Sequence, residues 1–142
     1  MYADKSESGT PVSQIPTLPI NAKAVAAARA VLPPEGQLAI VVEMFGALAD
    51  PTRARMLYAL TTGELCVRDL ALLVGVSESA VSHQLRLLRD RRLVRSRREG
   101  TTIYYALDNH HLPVLFREAE YHADHVRQGP VDRSDPTTPE TA

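Results

Sequence analysis

The chain has no tryptophan, two phenylalanines and one cysteine in 142 residues. Its core must therefore be built mostly from Leu, Val and Ala. The one thiol, Cys66, can form no disulfide within the chain, which fits a reducing cytoplasm. No apolar run approaches the ~20 residues that span a bilayer, so no membrane partner is expected. Met1 to Gln14 is polar and lacks the apolar centre of a secretory signal. Glycine-rich phosphate loops, nucleophile–base pairings and carboxylate pairs with a credible pocket are missing too. Glu43, Asp69 and Thr101-Thr102 read as structural, and an enzyme is not expected.

Net charge is small overall, but positive charge is concentrated locally. The formal net charge is −1, yet residues 51–100 hold ten Arg against five acids, leaving −6 on the remainder. Arg86 to Arg98 alone contains seven Arg and one acid, Asp90. A near-neutral chain with its positive charge in one module suggests a polyanion partner for that module.

The length suits one domain with flexible ends. Residues 1–19 are rich in Ser, Pro and Thr and are expected to be disordered, as is the Pro-containing segment 128–142. Between them, 20–127 reads as the folded domain. Asn21 is a helix cap for an Ala-rich helix to Leu32, which Pro33-Pro34 must break. Gln37 to Leu48 follows, with Leu38, Val41, Val42, Phe45 and Leu48 on one face. Asp50-Pro51 opens a helix to Leu60, closed by Gly63. Cys66 or Val67 to Val74 is the next helix, ended at Gly75.

The segment from Ser77 to Arg89 carries the chemistry. As a helix of about residues 78–92 capped by Ser77, it puts Val81, Leu85 and Leu88 on a core stripe. Ser79, Ser82, His83, Arg86 and Asp90 fall on an opposite polar stripe, flanked by Gln84 and followed by Arg89, and Ser77 at the helix start is a DNA-binding candidate with them. Short hydroxyls, an imidazole and a guanidinium at this spacing suit base edges and phosphates of double-stranded DNA. Helix, glycine turn and helix make a helix-turn-helix. Val94–Arg98 and Thr102–Leu107 then read as two strands joined at Glu99-Gly100-Thr101, a wing over 94–107 whose Arg97 and Arg98 can reach backbone phosphate. The fold class is therefore mainly α with a small β-hairpin, a winged helix-turn-helix.

Four of five histidines, His110, His111, His122 and His125, cluster in a last helix of about 110–127. His122 and His125 stand one turn apart, and His111 lies eleven residues earlier on the same face. That is roughly 16 Å along the axis, too far for one ion to bridge in one chain. Two antiparallel copies in a twofold dimer bring the His111 end of one helix beside the His122/His125 end of the other, making two equivalent sites. With Asp108 or Asn109 as the oxygen donor, the set suits tetrahedral Zn(II) or Co(II).

These strings resemble the ArsR/SmtB family of metal-sensing repressors: Ala47 to Arg53, Glu64 to Ala71, Ser77 to Arg89 and Tyr104-Tyr105, over about Leu38 to Gln128. The resemblance implies a winged-helix homodimer, joined through terminal helices, whose apo form holds operator DNA. Metal binding then releases the DNA and derepresses efflux or sequestration genes. Some members bind thiophilic metals through a cysteine pair near Cys66. Here Arg68 stands at the second position, so Cys66 is expected to be a buried structural thiol. The family's last-helix pattern, Asp-x-His followed by His-x-x-His, matches His111, His122 and His125 in register, but Asn109 replaces the Asp. We favour Asp108 as the oxygen donor, with Asn109 its rival and His110 and Asp124 further candidates for a larger shell. The absence of other histidines before residue 83 or after 125 favours zinc over nickel or cobalt. A winged-helix regulator that ignores metal is the competing class.

Overall fold

The computed structural model describes residues 14–130, so parts of both expected disordered tails, 1–13 and 131–142, lie outside the described residues. Two compact units meet in the chain at Ala39/Ile40. The first holds α1 (Ala22–Val31), opened by Asn21, whose Oδ1 accepts from the Ala24 amide at 2.9 Å. Helix α2 (Glu35–Leu48) begins in this unit, two residues before the expected Gln37. The Pro34 carbonyl accepts the Leu38 amide at 2.9 Å, so the proline pair ends one helix and starts the next.

The second unit contains the helix-turn-helix and wing. Helix α3 (Pro51–Leu60) starts as its sequence dictates, with Asp50 Oδ2 accepting from the Arg53 amide at 2.9 Å. A two-residue strand, β1 (Leu65–Cys66), precedes α4 (Val67–Val74). Gly75 closes α4 in the left-handed region, φ +73°, where a side chain would be strained. Then come α5 (Glu78–Asp90), β2 (Val94–Glu99), β3 (Thr102–Leu107) and α6 (His111–Gln128).

The expected hairpin is part of a three-stranded antiparallel sheet with β3 in the centre, order β1-β3-β2. Leu65 pairs with Tyr105 and Cys66 with Tyr104. Strand β1 escapes sequence reading because two residues carry no alternation to detect. On the other edge, Val94 pairs with Leu107 and Arg97 with Tyr104.

Val81, Leu85 and Leu88 of α5 have no exposed surface and join Met56, Leu57, Leu60, Leu70 and Phe116 in one core. Burying each such side chain is worth about 1.5–3 kcal/mol. The α2 stripe behaves differently. Val42 and Phe45 are 59% and 52% exposed, whereas Ala47 is buried and Met44 and Leu48 pack against the core. Its expected core face is therefore largely uncovered in the protomer.

Helix α5 also ends earlier than the expected residue 92. Arg92 adopts φ +55°, and the Arg92 and Leu93 amides donate to the Arg89 and Leu88 carbonyls at 2.9 and 3.0 Å. This is a Schellman stop with an arginine in the place glycine usually takes, and buried Leu93 and Leu88 supply its hydrophobic contact. Left-handed backbone costs an L-residue roughly 1–2 kcal/mol. Arg92→Gly is expected to raise stability by about 0.5–1 kcal/mol, read as a higher urea midpoint at unchanged slope. Leu88→Ala, by contrast, is expected to lose about 3 kcal/mol.

Candidate nucleic-acid interface and metal-ligating helix

Helix α5 presents the expected polar stripe. Ser79, His83, Arg86 and Arg89 are exposed and Ser82 is half-buried. Ser77 Oγ accepts from the Ala80 amide at 3.1 Å, so its first task is to cap the helix. Gln84 does not share this stripe. It lies five residues past Ser79, about 140° around the axis, is half-buried, and its Oε1 accepts from Arg53 Nη1 at 3.2 Å.

A cleft of about 490 Å³ separates the start of α5 from the wing. Arg68, Ser79, Ser82, Thr101 and Thr102 are among its lining residues. Cys66 lines it as well, at the start of α4, and is half-buried rather than the fully buried thiol expected. Arg68 and the two threonines are polar groups on this cleft that motif reading passed over.

On the wing, Arg98 is exposed, but Arg97 is committed. Its Nε donates to Glu64 Oε2 and its Nη1 to Glu99 Oε2, both at 2.8 Å, and the guanidinium lies 4.6 Å from the Tyr104 ring centroid. These partners hold the Arg97 pKa above its ordinary value, and Arg97 in turn holds the Glu64 carboxyl below its own. Nothing in the pattern of β2 separates Arg97 from Arg95. The partner, Glu64, lies 33 residues away in sequence.

Helix α6 is anchored at one end. Leu112 and Phe116 are buried, and Phe116 stacks on Tyr58 at 4.2 Å between ring centroids. Burial and the neighbouring Glu120 carboxylate raise the Tyr58 pKa. From Arg117 to Gln128 every residue is exposed, including His122, Asp124 and His125. The Tyr121 and His125 rings lie 5.1 Å apart. Pro113 is the third residue of the helix, within the first turn as expected. His110 sits just before the helix and Asp108 is exposed. Asn109 Oδ1 accepts from the His111 amide at 2.9 Å, so this oxygen already has a donor. His111 and Asn109 share an open cavity of about 410 Å³ with Met44, Leu93, Leu115 and Glu118. Among the described residues, no three His, Cys, Asp or Glu side chains converge to hold a metal within one protomer.

A family model described as bacterial regulatory protein, arsR family, matches residues 50–96. A transcriptional repressor SmtB homolog from Synechocystis is 53% identical over 88 residues, 62% of this chain and 64% of that protein. The cadmium resistance transcriptional regulatory protein CadC homolog of Staphylococcus aureus is 40% identical over 61% of this chain and 72% of its own length. The chain belongs to the ArsR family.

Among solved structures, the homodimeric winged helix-turn-helix domain Mb0332 from Mycobacterium bovis superposes with a TM-score of 0.60. It is 28% identical and covers 80% of this chain and 98% of its own. The chain thus spans slightly less than two thirds of the Synechocystis relative. The ArsR model begins at the cap of α3 and stops within β2, so it covers the helix pair but not α6. No single helix among the described residues is long and apolar enough to cross a membrane.

The Glu64–Arg97 link yields an electrostatic expectation. Glu64→Gln combined with Glu99→Gln frees one wing cation, so affinity for duplex DNA should rise and its log–log salt slope should steepen by about one. Anisotropy titrations at several salt concentrations measure both. An unchanged slope would mean that Arg97 does not face phosphate even when released.

Proposed function

We propose that this ArsR-family protein is a metal-responsive repressor that acts in the cytoplasm as a homodimer. The apo dimer holds operator DNA, and metal bound at the C-terminal helices releases it. Genes for metal efflux or sequestration are thereby derepressed. Exposed Ser79, His83, Arg86 and Arg89, with half-buried Ser82, form the reading face on α5. Arg98 on the wing contributes a phosphate contact.

The observation that carries the metal assignment is the second half of α6, which is exposed throughout and bears His122 and His125. His111 stands roughly 16 Å away along the same helix, so one protomer offers half a donor set at each end. Asp108, His111, and the partner protomer's copies of the two later histidines supply one oxygen and three nitrogens. That donor chemistry fits a tetrahedral dication, zinc first, with nickel or cobalt as alternatives. Asp108 is the better oxygen donor than Asn109, because Asn109 Oδ1 is engaged by the His111 amide and is uncharged. The exposed Val42 and Phe45 of α2, and Val114 and Val126 of α6, supply apolar surface for the dimer contact.

DNA release follows from linkage. If the metal prefers the dimer arrangement that fits DNA poorly, it must weaken operator affinity by the same factor by which DNA weakens metal affinity. His122→Ala and His125→Ala are expected to keep operator binding and lose Zn(II)-induced release in a gel-shift titration. Arg86→Ala and His83→Ala should weaken DNA binding while Zn(II) stoichiometry stays at about two per dimer. Normal Zn(II) release by both histidine variants would overturn the site.

A further inference from the structure

Arg53 joins three helices within the second unit. Its backbone amide closes the Asp50 cap of α3. Its guanidinium then reaches two other helices. Nε donates to the Ala47 carbonyl at 2.8 Å and Nη2 to the Gly46 carbonyl at 3.3 Å, both at the C-terminal end of α2. Nη1 donates to Gln84 Oε1 at 3.2 Å, in the middle of α5.

Each acceptor suits the cation. Helix ends leave carbonyls unpaired and carry partial negative charge, so a guanidinium at the end of α2 is favourable. A planar fork with five donors can hold three acceptors in fixed directions, which an ammonium cannot. Arg53 also shares a small cavity of about 160 Å³ with Gly46, Ala47, Leu87 and Arg91, which places the end of α2 against the same side of α5. Burial of Val81, Leu85 and Leu88 sets which face of α5 points inward. A directional hydrogen bond to Gln84 adds a polar constraint on the freedom that remains about the helix axis.

We propose that Arg53, acting through Gln84, is a positioning residue that sets the roll of the reading helix against α2, and that operator selectivity depends on this link. Gln84 is accordingly a docking residue on the inner flank of α5 and not a base reader. The inference rests on the DNA-binding half of the function above and is independent of metal.

The test uses the full-length apo protein and two duplexes, one selected from a random pool by the wild type and one of scrambled sequence. Arg53→Gln and Gln84→Met are compared with wild type by anisotropy, with circular dichroism confirming the fold. Both variants should lose about tenfold or more in the ratio of selected to scrambled affinity. Scrambled-duplex affinity and its salt slope should stay near wild type, since no phosphate contact is removed. Gln84→Glu, which keeps an acceptor for Arg53, should retain more selectivity than Gln84→Met. The double variant should lose no more than either single one, because both break one link.

Full selectivity in folded Arg53→Gln and Gln84→Met would overturn the proposal. A parallel fall on both duplexes would also overturn it, since that marks a general stability or phosphate effect. If the wild type itself failed to prefer any duplex, the DNA-reading function would fall first and the inference with it.

Discussion

The outward placing of the polar stripe of α5 depends on the burial of Val81, Leu85 and Leu88 beneath it. These side chains share one stripe of α5, so the opposite stripe is obliged to face outward. The core that receives them comes from α3, α4 and α6: Met56, Leu57, Leu60, Leu70 and Phe116. A single contact surface therefore fixes how far the polar stripe stands out and how firmly α6 is anchored. Phe116 belongs to both, since it packs in this core and stacks on Tyr58. A shift of α6 would bear on the same cluster that seats α5, which is the physical route that the proposed linkage requires.

Most of that arrangement was legible in the residues, for reasons that differ by element. The Asp50-Pro51 start and the Ser77 cap follow from local hydrogen-bond chemistry, and both caps are made. Helix α5 was read from a clean 3.6-residue period. Its end was not, because Arg92 supplies a left-handed stop without the glycine that marks one. Strand β1 was missed because its only reason to exist is pairing with β3, a long-range contact. Five apolar residues on α2 predicted a core face, but periodicity reports apolarity and not what covers it. Val42 and Phe45 remain open in the protomer.

At the site, residue type was easier to read than residue commitment. Arg97 and Gln84 have the right chemistry for DNA, yet each is held by a partner far away in sequence, Glu64 and Arg53. Such pairings leave no local trace. The histidine spacing on α6 was legible because it lies within one helix, where eleven residues fix both the face and the separation. The oxygen donor was harder to choose, since the choice between Asp108 and Asn109 turns on which oxygen the backbone already uses.

Charge and apolar surface together give a reason for the proposed reading and sensing sites to occupy different parts of one small fold. The cations of α5 and the wing sit where a polyanion can approach, with Arg97 withdrawn by its two carboxylates. Exposed apolar groups on α2 and α6 include Val42, Phe45, Val114 and Val126, and α6 also bears the exposed His122 and His125. A metal placed among the DNA-reading arginines would add positive charge there and favour DNA. A metal on α6, as proposed, would avoid this direct attraction and would have to act through the packing of the helices. The proposed release therefore needs an effector site away from the polar stripe of α5 yet packed against the same core, and Phe116 of α6 shares that core with Val81, Leu85 and Leu88.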